Sequence, residues 1–250
     1  MHKRVLILGV AVDNILIDDG IAAVARFIAE GGPHHVVTVN PEFVMEARRN
    51  SAFRRVLAAA DLATPDGVGL LLAAHWCRTP LRGRVTGVAL TERIAAEAAR
   101  RGWSLFLLGA APGVAERAAA ALQRTNPALR IAGCYAGSPH PADEPAIRER
   151  ILAARPDVLL VAYGHPAQDL WIARNQPILR VPVAIGVGGT FDELAGVVPR
   201  PPAVIERLGL KWLYRLIIQP WRWRRIMTAA PIFLWTVFRE GCAFDALHTE

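Results

Sequence analysis

Six short apolar runs, separated by helix-like stretches, limit the fold of this chain more than any other feature. The runs read RVLILGV, HVVTVN, SLFLLG, LRIAGCY, DVLLVAYG and VPVAIGVGG. They are almost continuously apolar rather than alternating, which is typical of strands buried on both faces. Stretches such as PGVAERAAAALQR and DEPAIRERILAAR have the composition of helices and lie between them. The pattern predicts an α/β fold, with a parallel sheet and helices on both of its faces.

The character of the sequence changes after about Val198. Tryptophan, tyrosine and leucine alternate there with basic residues, and a short stretch carries a local charge of +6 on a chain whose total is +7. The only acidic residue in this stretch is Glu206. Its seven basic residues are Arg200, Arg207, Lys211, Arg215, Arg222, Arg224 and Arg225. We predict a body at 1–198 and a basic, aromatic appendage at 199–250. The apolar content favours an anionic membrane surface over nucleic acid as its partner, and a helix that packs on the body is the alternative.

Glycines and small polar residues follow several predicted strands, each just before a helix. Ligands of parallel α/β sheets bind at the carboxyl ends of strands, and helix N-termini bind phosphate. These loops together favour a nucleotide or a diphosphate as the ligand. The candidate residues are Thr38 and Asn40, Gly109 in GAAPG, Gly164 and Gln168 in GHPAQD, and Asp192 in GGTFD.

A single carboxylate, Asp66, stands between Pro65 and Gly67 in the stretch ATPDGVG, just before an apolar helix. An aspartate before a helix accepts hydrogen bonds from the first free N–H groups. The placement alone therefore predicts a cap, since turn and cap chemistry accounts for most Asp-Gly pairs of this kind. Any further role has to come from the rest of the chain.

Several common motifs are missing from the sequence. It contains no D-x-D motif, no spaced histidine cluster, no Walker loop and no G-x-S-x-G elbow. We therefore expect no metal and no cofactor, and we expect arginine and helix dipoles to neutralise a departing diphosphate. A Rossmann-type oxidoreductase would need a G-x-G-x-x-G fingerprint, which is also missing.

Eight motifs follow one another along the chain: TVNPEFVMEARRN, ADLATPDGVGLLLA, RVTG, LFLLGAAPGV, PDVLLVAYGHPAQDLWI, IGVGGTFDELAG, RPP and GLKWLYRLIIQPWRWRR. In this combination the chain closely resembles the WecG/TagA/CpsF family, glycosyltransferase family 26. The resemblance covers nearly the whole chain, up to about Arg225. Eight motifs in order are far more specific than any one of them.

The resemblance implies a Rossmann-like fold with a small C-terminal helical appendage that closes over the site. It implies a metal-independent, inverting glycosyltransferase that takes a sugar from a UDP-sugar, commonly UDP-N-acetylmannosamine. The acceptor would be a polyprenyl-diphosphate-linked sugar in the synthesis of teichoic acid, common antigen or exopolysaccharide. The protein is expected to be peripheral, on the cytoplasmic face of the bacterial inner membrane. Whether it forms a homo-oligomer stays an open question.

The resemblance also suggests roles for individual residues. Asp66 matches the general base of the family, a group that must lie within hydrogen-bond reach of its substrate. The stiff turn in which Asp66 stands suits that role, and the role is compatible with a cap. The other matches are Thr38 and Asn40 in the sugar pocket, Arg84, Gln168 and Asp192 among the polar pocket residues, and Arg215, Arg222 and Arg225 near the diphosphate. The chain departs from the family at Asp169, where glutamate is common, at Lys211, where glutamate usually precedes tryptophan, and at His165. A non-catalytic adaptor that binds a nucleotide or lipid is the alternative function.

Overall fold

The computed structural model describes residues 3–202, 204–205, 210–223 and 227–241, and its centre is a parallel sheet. Six strands lie in the order β4-β3-β8-β7-β5-β6, and every neighbouring pair is parallel. Their bounds are β3 His34–Val39, β4 Leu62–Pro65, β5 Ser104–Gly109, β6 Arg130–Tyr135, β7 Val158–Ala162 and β8 Val183–Gly186. The predicted parallel α/β architecture is confirmed.

Helices cover both faces of this sheet, as predicted, because the strands carry buried side chains on each face. The helices of the body are α1 Ile17–Glu30, α2 Pro41–Ala47, α3 Ser51–Ala59, α4 Val68–Trp76, α5 Gly87–Arg101, α6 Val114–Thr125, α7 Glu144–Ala154, α8 Ala167–Leu179 and α9 Thr190–Leu194. One face is covered by α1, α5, α6 and α9. On the other, α2, α3 and α4 lie over β3 and β4, while α7 and α8 lie over β5 and β7.

The first apolar run does not join the parallel sheet, so that part of the prediction is wrong. It forms an antiparallel hairpin of β1 Arg4–Ile7 and β2 Val10–Asp13. Leu8 and Gly9 have φ values of 48° and 80°, the two positive values that a tight hairpin turn requires. The Asp13 carboxylate accepts a hydrogen bond of 2.7 Å from the Ala63 amide, which ties the hairpin to β4.

The strand β4, which precedes Asp66, was not predicted from the sequence. It has only four residues and ends in Pro65, so neither its length nor its composition indicates a strand. Proline is tolerated because β4 is an edge strand that pairs with β3 alone within the sheet. This short strand brings Asp66 to the carboxyl edge of the sheet.

The described part of the C-terminal segment is helical and packs on the body. It contains α10 Lys211–Ile218, a 3-10 turn at Pro220–Arg222, a π-helical turn at Thr228–Ile232 and α11 Phe233–Glu240. Phe233 and Val237 of α11 are buried in the same apolar cluster as α2 and α4. The Glu240 carboxylate accepts two hydrogen bonds from Arg48, at 2.8 and 3.0 Å. The division at residue 198 into two domains stays a prediction.

The burial of Phe233 predicts that this C-terminal helix stabilises the whole protein. The Phe233→Ala variant should lose about 3–5 kcal/mol of unfolding free energy, because the cavity would open into the main core. Trp235→Ala is the matched control, since this ring is 63% exposed and should change the free energy of unfolding little. Urea unfolding measures both, and equal losses would contradict the packing described for α11.

Candidate active site

The parallel pairing of β3 with β4 and β8 brings three predicted site segments to one edge of the sheet. Thr38 lies opposite Thr64, and Val39 lies opposite Pro65, so Asn40 and Asp66 leave neighbouring strands side by side. On the other side of β3, Val37 pairs with Gly186 at the end of β8. The loops that follow β3, β4 and β8 therefore lie next to one another at this edge, and the role of their residues in binding a ligand stays a prediction.

Main-chain hydrogen bonds hold Asp66 on both sides. Its amide donates to the Val39 carbonyl at 2.7 Å, and the Pro65 carbonyl accepts from the Val85 amide at 2.7 Å. Gly67 follows with φ of 110°, a conformation that residues with a side chain rarely adopt, and becomes the N-cap of α4. The carboxylate is thus mounted on fixed backbone at the edge of the sheet.

The cap interpretation needs correction, because the hydrogen bond of the Asp66 carboxylate leads to another helix. Oδ2 accepts from the amide of Gly87, the first residue of α5, at 3.1 Å. Thr86 caps the same helix by accepting from the Ala89 amide at 3.2 Å. Asp66 therefore stands at the positive end of the α5 dipole, where a negative charge is stabilised.

The surroundings of Asp66 raise its pKa above the ordinary value of 3.8. Burial is the largest cause, although the side chain stays partly accessible. The Gly87 hydrogen bond and the positive charges of Lys211 and Arg84 oppose the rise, while the negative charge of Glu193 adds to it. A carboxylate with a raised pKa is a stronger base than an exposed aspartate.

Thr38 and Asn40, the predicted sugar-pocket pair, each have a structural contact. The buried Thr38 hydroxyl donates to the Gly186 carbonyl at 2.8 Å and so joins β3 to β8. The Asn40 side-chain oxygen accepts from the Phe43 amide at 3.1 Å and caps α2. A hydroxyl keeps acceptor capacity and an amide keeps two donors. The predicted contact of these side chains with a sugar stays a prediction.

Gln168 shapes the loop after β8. Its buried oxygen accepts from the Gly188 amide at 2.9 Å. A Cβ atom at Gly186 would clash with the side-chain ends of Gln168 and Asp169, so a larger residue there would force these two side chains to shift. Asp169 is fully buried, with one oxygen 3.5 Å from Nε2 of His35. The Asp169 carboxylate therefore lies in the interior of the protein, next to the backbone of Gly186.

Gly109 and Gly164 also have structural reasons to be glycine. Gly109 has φ of 107°, and a Cβ atom there would lie 2.8 Å from the Ala162 carbonyl carbon. Gly164 has φ of 76°, and its carbonyl accepts from the Gln168 amide at 2.8 Å. Their predicted contact with a ligand stays a prediction.

Arg84 is partly buried, and its charge acts on Asp66. Asp192 is partly exposed, and its carbonyl accepts from the amides of Val197 and Val198 at 2.9 and 3.1 Å. The carboxylate of α9 that acts on Asp66 belongs to its neighbour, Glu193. The role predicted for Asp192 as a pocket residue stays a prediction.

The predicted diphosphate ligands of the C-terminal segment cannot be placed as side chains. Arg215 lies on α10 and Arg222 ends the following 3-10 turn. Their side chains, and Arg225 as a whole, lie outside the described residues. The structure places the backbone of α10, and Lys211 at its first position lies close enough to act on Asp66.

Lys211 and Glu193 are site residues that the sequence reasoning missed. The Lys211 ammonium lies 2.8 Å from a Glu193 oxygen, and both charges act on Asp66. The sequence drew attention to Lys211, because lysine departs from the family pattern at this position, but it indicated no contact with Asp66. The glutamate in GGTFDELAG gave none, since one acidic residue beside another reads as an ordinary exposed helix start.

His165, the other departure from the family, lies beside the N-terminus of α2. Its Nε2 is 3.2 Å from the Glu42 carboxylate. Both side chains line a cavity of about 160 Å³, with Glu46, Arg49 and Thr228. A second cavity of about 370 Å³ lies between the start of α8 and the segment 138–141. The residues that line these two cavities do not include Asp66.

Residues 5–246 match the Glycosyl transferase WecG/TagA/CpsF family. The chain belongs to this family of glycosyltransferases. Similar proteins carry the name N-acetylglucosaminyldiphosphoundecaprenol N-acetyl-beta-D-mannosaminyltransferase. A Bacillus spizizenii protein of that name is 34% identical, over 85% of this chain and 82% of its own. Those of Bacillus subtilis and Staphylococcus aureus are 32% identical, over 82% and 94% of this chain and 79% and 92% of theirs.

Among the described residues, no three histidine, cysteine, aspartate or glutamate side chains are grouped so that they could hold a metal ion. Within the same ranges, every helix is too short or too polar to cross a bilayer.

The raised pKa of Asp66 predicts that its charge destabilises the fold. Above 3.8 the unfolded chain has lost the proton that the folded protein still holds, so stability falls as the pH rises through this window. Asp66→Asn cannot ionise and keeps an acceptor for Gly87. The variant should therefore equal the wild type in melting temperature well below pH 3.8. It should exceed the wild type increasingly as the pH rises from 3.8 to the raised pKa, and by a constant amount above that pKa.

Thermal unfolding across the pH range measures this difference. Asp18→Asn, at an exposed carboxylate of α1, controls for the loss of one negative charge in general. An Asp66→Asn variant that melts below the wild type at neutral pH would show that burial does not dominate at this carboxylate.

Proposed function

We propose that this protein transfers N-acetylmannosamine, or a close relative, from a UDP-sugar to a polyprenyl-diphosphate-linked N-acetylglucosamine. The named relatives act on such an acceptor, and the chain matches each of them over most of both lengths. The observation that carries the mechanism is Asp66, fixed at the carboxyl edge of the sheet with a raised pKa. The donor's nucleotide and the independence from metal belong to the proposal.

In the proposed reaction, the Asp66 carboxylate takes the proton from a hydroxyl group of the acceptor sugar. The freed oxygen electron pair attacks the anomeric carbon of the donor. The bond from that carbon to the diphosphate breaks, and UDP leaves with the bonding pair. This single displacement inverts the anomeric carbon, and the proton stays on Asp66 until solvent removes it.

The surroundings of Asp66 suit this role in two ways. Main-chain hydrogen bonds on both sides hold the carboxylate, and fixed geometry lowers the barrier to bringing base and hydroxyl together. The nearby positive charges of Arg84 and Lys211 provide favourable surroundings for a departing diphosphate. No sequence motif or described side-chain cluster suggests a metal for that task, so we propose that cations of the chain supply it.

We also propose that the protein binds the surface of an anionic membrane, as a peripheral enzyme on the cytoplasmic face of the bacterial inner membrane. Exposed apolar side chains of α4 and α11 meet in what we call the aromatic surface, formed by Leu72, Trp76, Trp235 and Phe238. The rings of Trp76 and Phe238 are 5.1 Å apart, and those of Trp235 and Phe238 are 6.0 Å apart. Aromatic rings beside a basic segment suit the headgroup region of a bilayer.

Turnover with Asp66→Asn tests the proposed reaction. The variant keeps the size of the side chain but cannot accept the proton, so turnover should fall by about 10²–10⁴-fold while UDP-sugar binding survives. Transfer is measured with UDP-N-acetylmannosamine and a polyprenyl-diphosphate N-acetylglucosamine acceptor, in the presence of EDTA. The wild type should stay active under these conditions.

Three results would contradict parts of this proposal. Near-normal turnover by folded Asp66→Asn would leave the carboxylate with a structural role alone. Loss of wild-type activity in EDTA, restored by Mg²⁺ or Mn²⁺, would show that a metal stabilises the leaving group. UDP-sugar binding without transfer to any lipid acceptor would favour the non-catalytic adaptor.

Point variants test membrane binding better than truncation, since removal of the C-terminal segment would open the core around Phe233. Trp76→Ala with Trp235→Ala should weaken sedimentation with anionic liposomes by roughly tenfold or more, because each buried ring contributes about 1–2 kcal/mol. Leu152→Ala, at an exposed apolar residue of α7, is the matched control. Unchanged sedimentation of the double variant would exclude the aromatic surface from the membrane contact.

A further inference from the structure

The helix α4 carries apolar side chains on its outer face as well as on its buried face. Its sequence is VGLLLAAHW, and its buried residues are Gly69, Leu70, Ala73 and Ala74. Because an α-helix has about 3.6 residues per turn, the remaining positions form one continuous face along its length. This outer face consists of Val68, Leu71, Leu72, His75 and Trp76.

The outer face of α4 stays accessible to solvent. The side chains of Leu72 and Trp76 are 52% and 60% exposed, while Val68 and Leu71 are partly buried. A helix at the surface of a protein usually has a polar outer face, and a helix that is apolar all round usually lies in a core or in lipid. We call Val68, Leu71, Leu72 and Trp76 the apolar track. Its exposure indicates an apolar ligand or partner.

The apolar track begins and ends at two places that the proposed function uses. Val68 follows Asp66 by two residues, so the track begins at the carboxyl edge of the sheet, beside the proposed base. Trp76 lies at the other end, where its ring contacts Phe238 in the aromatic surface. The nine residues of α4 span about 13 Å. This helix therefore connects the proposed base with the proposed membrane contact.

The chemical groups of a polyprenyl-linked acceptor follow one another in the same order. The reacting hydroxyl belongs to the sugar, the diphosphate comes next, and the prenyl chain is last. Gly67, the N-cap of α4, has no side chain that could accept hydrogen bonds from the first turn, and the positive end of a helix dipole favours a diphosphate there. Beyond the first turn, the apolar track offers a hydrocarbon surface that leads to the aromatic surface.

We propose that the apolar track binds the prenyl chain of the acceptor and guides it from the bilayer to Asp66. This inference rests on the proposed function and assigns a binding site to one part of its acceptor. Contact between the chain and the track removes apolar surface from water, which stabilises the complex roughly in proportion to the area buried. A UDP-sugar carries no hydrocarbon tail, so the track serves the acceptor alone.

Photo-crosslinking of the full-length wild type tests this proposal without any turnover. The probe is a prenyl diphosphate with a benzophenone in its chain, bound to the protein in detergent micelles and irradiated. Mass spectrometry of the peptides should place crosslinks on α4, and excess polyprenyl-diphosphate N-acetylglucosamine should abolish them by competition. Crosslinks confined to other parts of the chain, or insensitive to the competitor, would overturn the proposal.

The double variant Val68→Thr/Leu71→Asn separates binding of the prenyl chain from a merely structural role. With a long-chain acceptor, its KM should rise roughly tenfold at nearly unchanged kcat, because two apolar contacts with the chain are lost. With an acceptor that carries a single isoprene unit, KM should stay at the wild-type value, since so short a chain cannot cover the track. Leu152→Asn, at an exposed apolar residue of α7, is the matched control and should change neither KM. Equal changes with both acceptors would contradict the proposal.

Two other occupants of the same face would give different results with this double variant. If a second copy of the chain covered the track, the variant would sediment as a smaller species than the wild type in the absence of lipid. If the bilayer itself covered the track, the variant would bind less to anionic liposomes that contain no acceptor. Either result would overturn the proposal, which requires an unchanged mass and unchanged liposome binding.

Crosslinking and turnover together keep this proposal distinct from the proposed function. Crosslinks on α4 in a protein that transfers no sugar would refute the proposed reaction alone. Sugar transfer by a protein that shows no crosslinks on α4 would refute the role of the apolar track alone.

Discussion

The pairing of β3 between β4 and β8 is the constraint on which the rest of the site depends. Parallel strands end at one edge, so the hydrogen-bond register decides which loops become neighbours. The bond from the Asp66 amide to the Val39 carbonyl extends that register past the end of β4. A shift of β4 by one residue would exchange the side chains on its two buried faces and take Asp66 away from α5.

The surroundings of Asp66 oppose the ionised carboxylate that the proposed reaction needs. Burial at Asp66 works against its ionised form, and the protein opposes this with a helix N-terminus and with Arg84 and Lys211. The result is a charge that is tolerated rather than stabilised. Such a site is maintained by the surrounding structure at a cost in stability, as is common where a protein needs a reactive group.

Much of the fold could be predicted because five of the six apolar runs became strands of the parallel sheet. The hairpin at the start was missed, since its turn depends on Leu8 in a conformation that leucine seldom adopts. The strand β4 was missed because four residues ending in Pro65 show no periodicity. For the candidate site, the motifs of the sequence pointed to Asp66, Thr38 and Asn40. The Lys211–Glu193 pair was not predictable, because 18 positions separate its members and only the packing of α10 on α9 brings them together.

The burial of Phe233 and Val237 has a consequence for how the chain matures during synthesis. Both residues complete a cluster that otherwise consists of the hairpin, β3, β4 and α2 to α4. Until the ribosome has released α11, one face of the sheet is left with an unfilled apolar seam. Domains fold as units during synthesis, so this seam closes only after α11 has emerged. The aromatic surface needs α4 and α11 together, so it also forms only after α11 has left the ribosome.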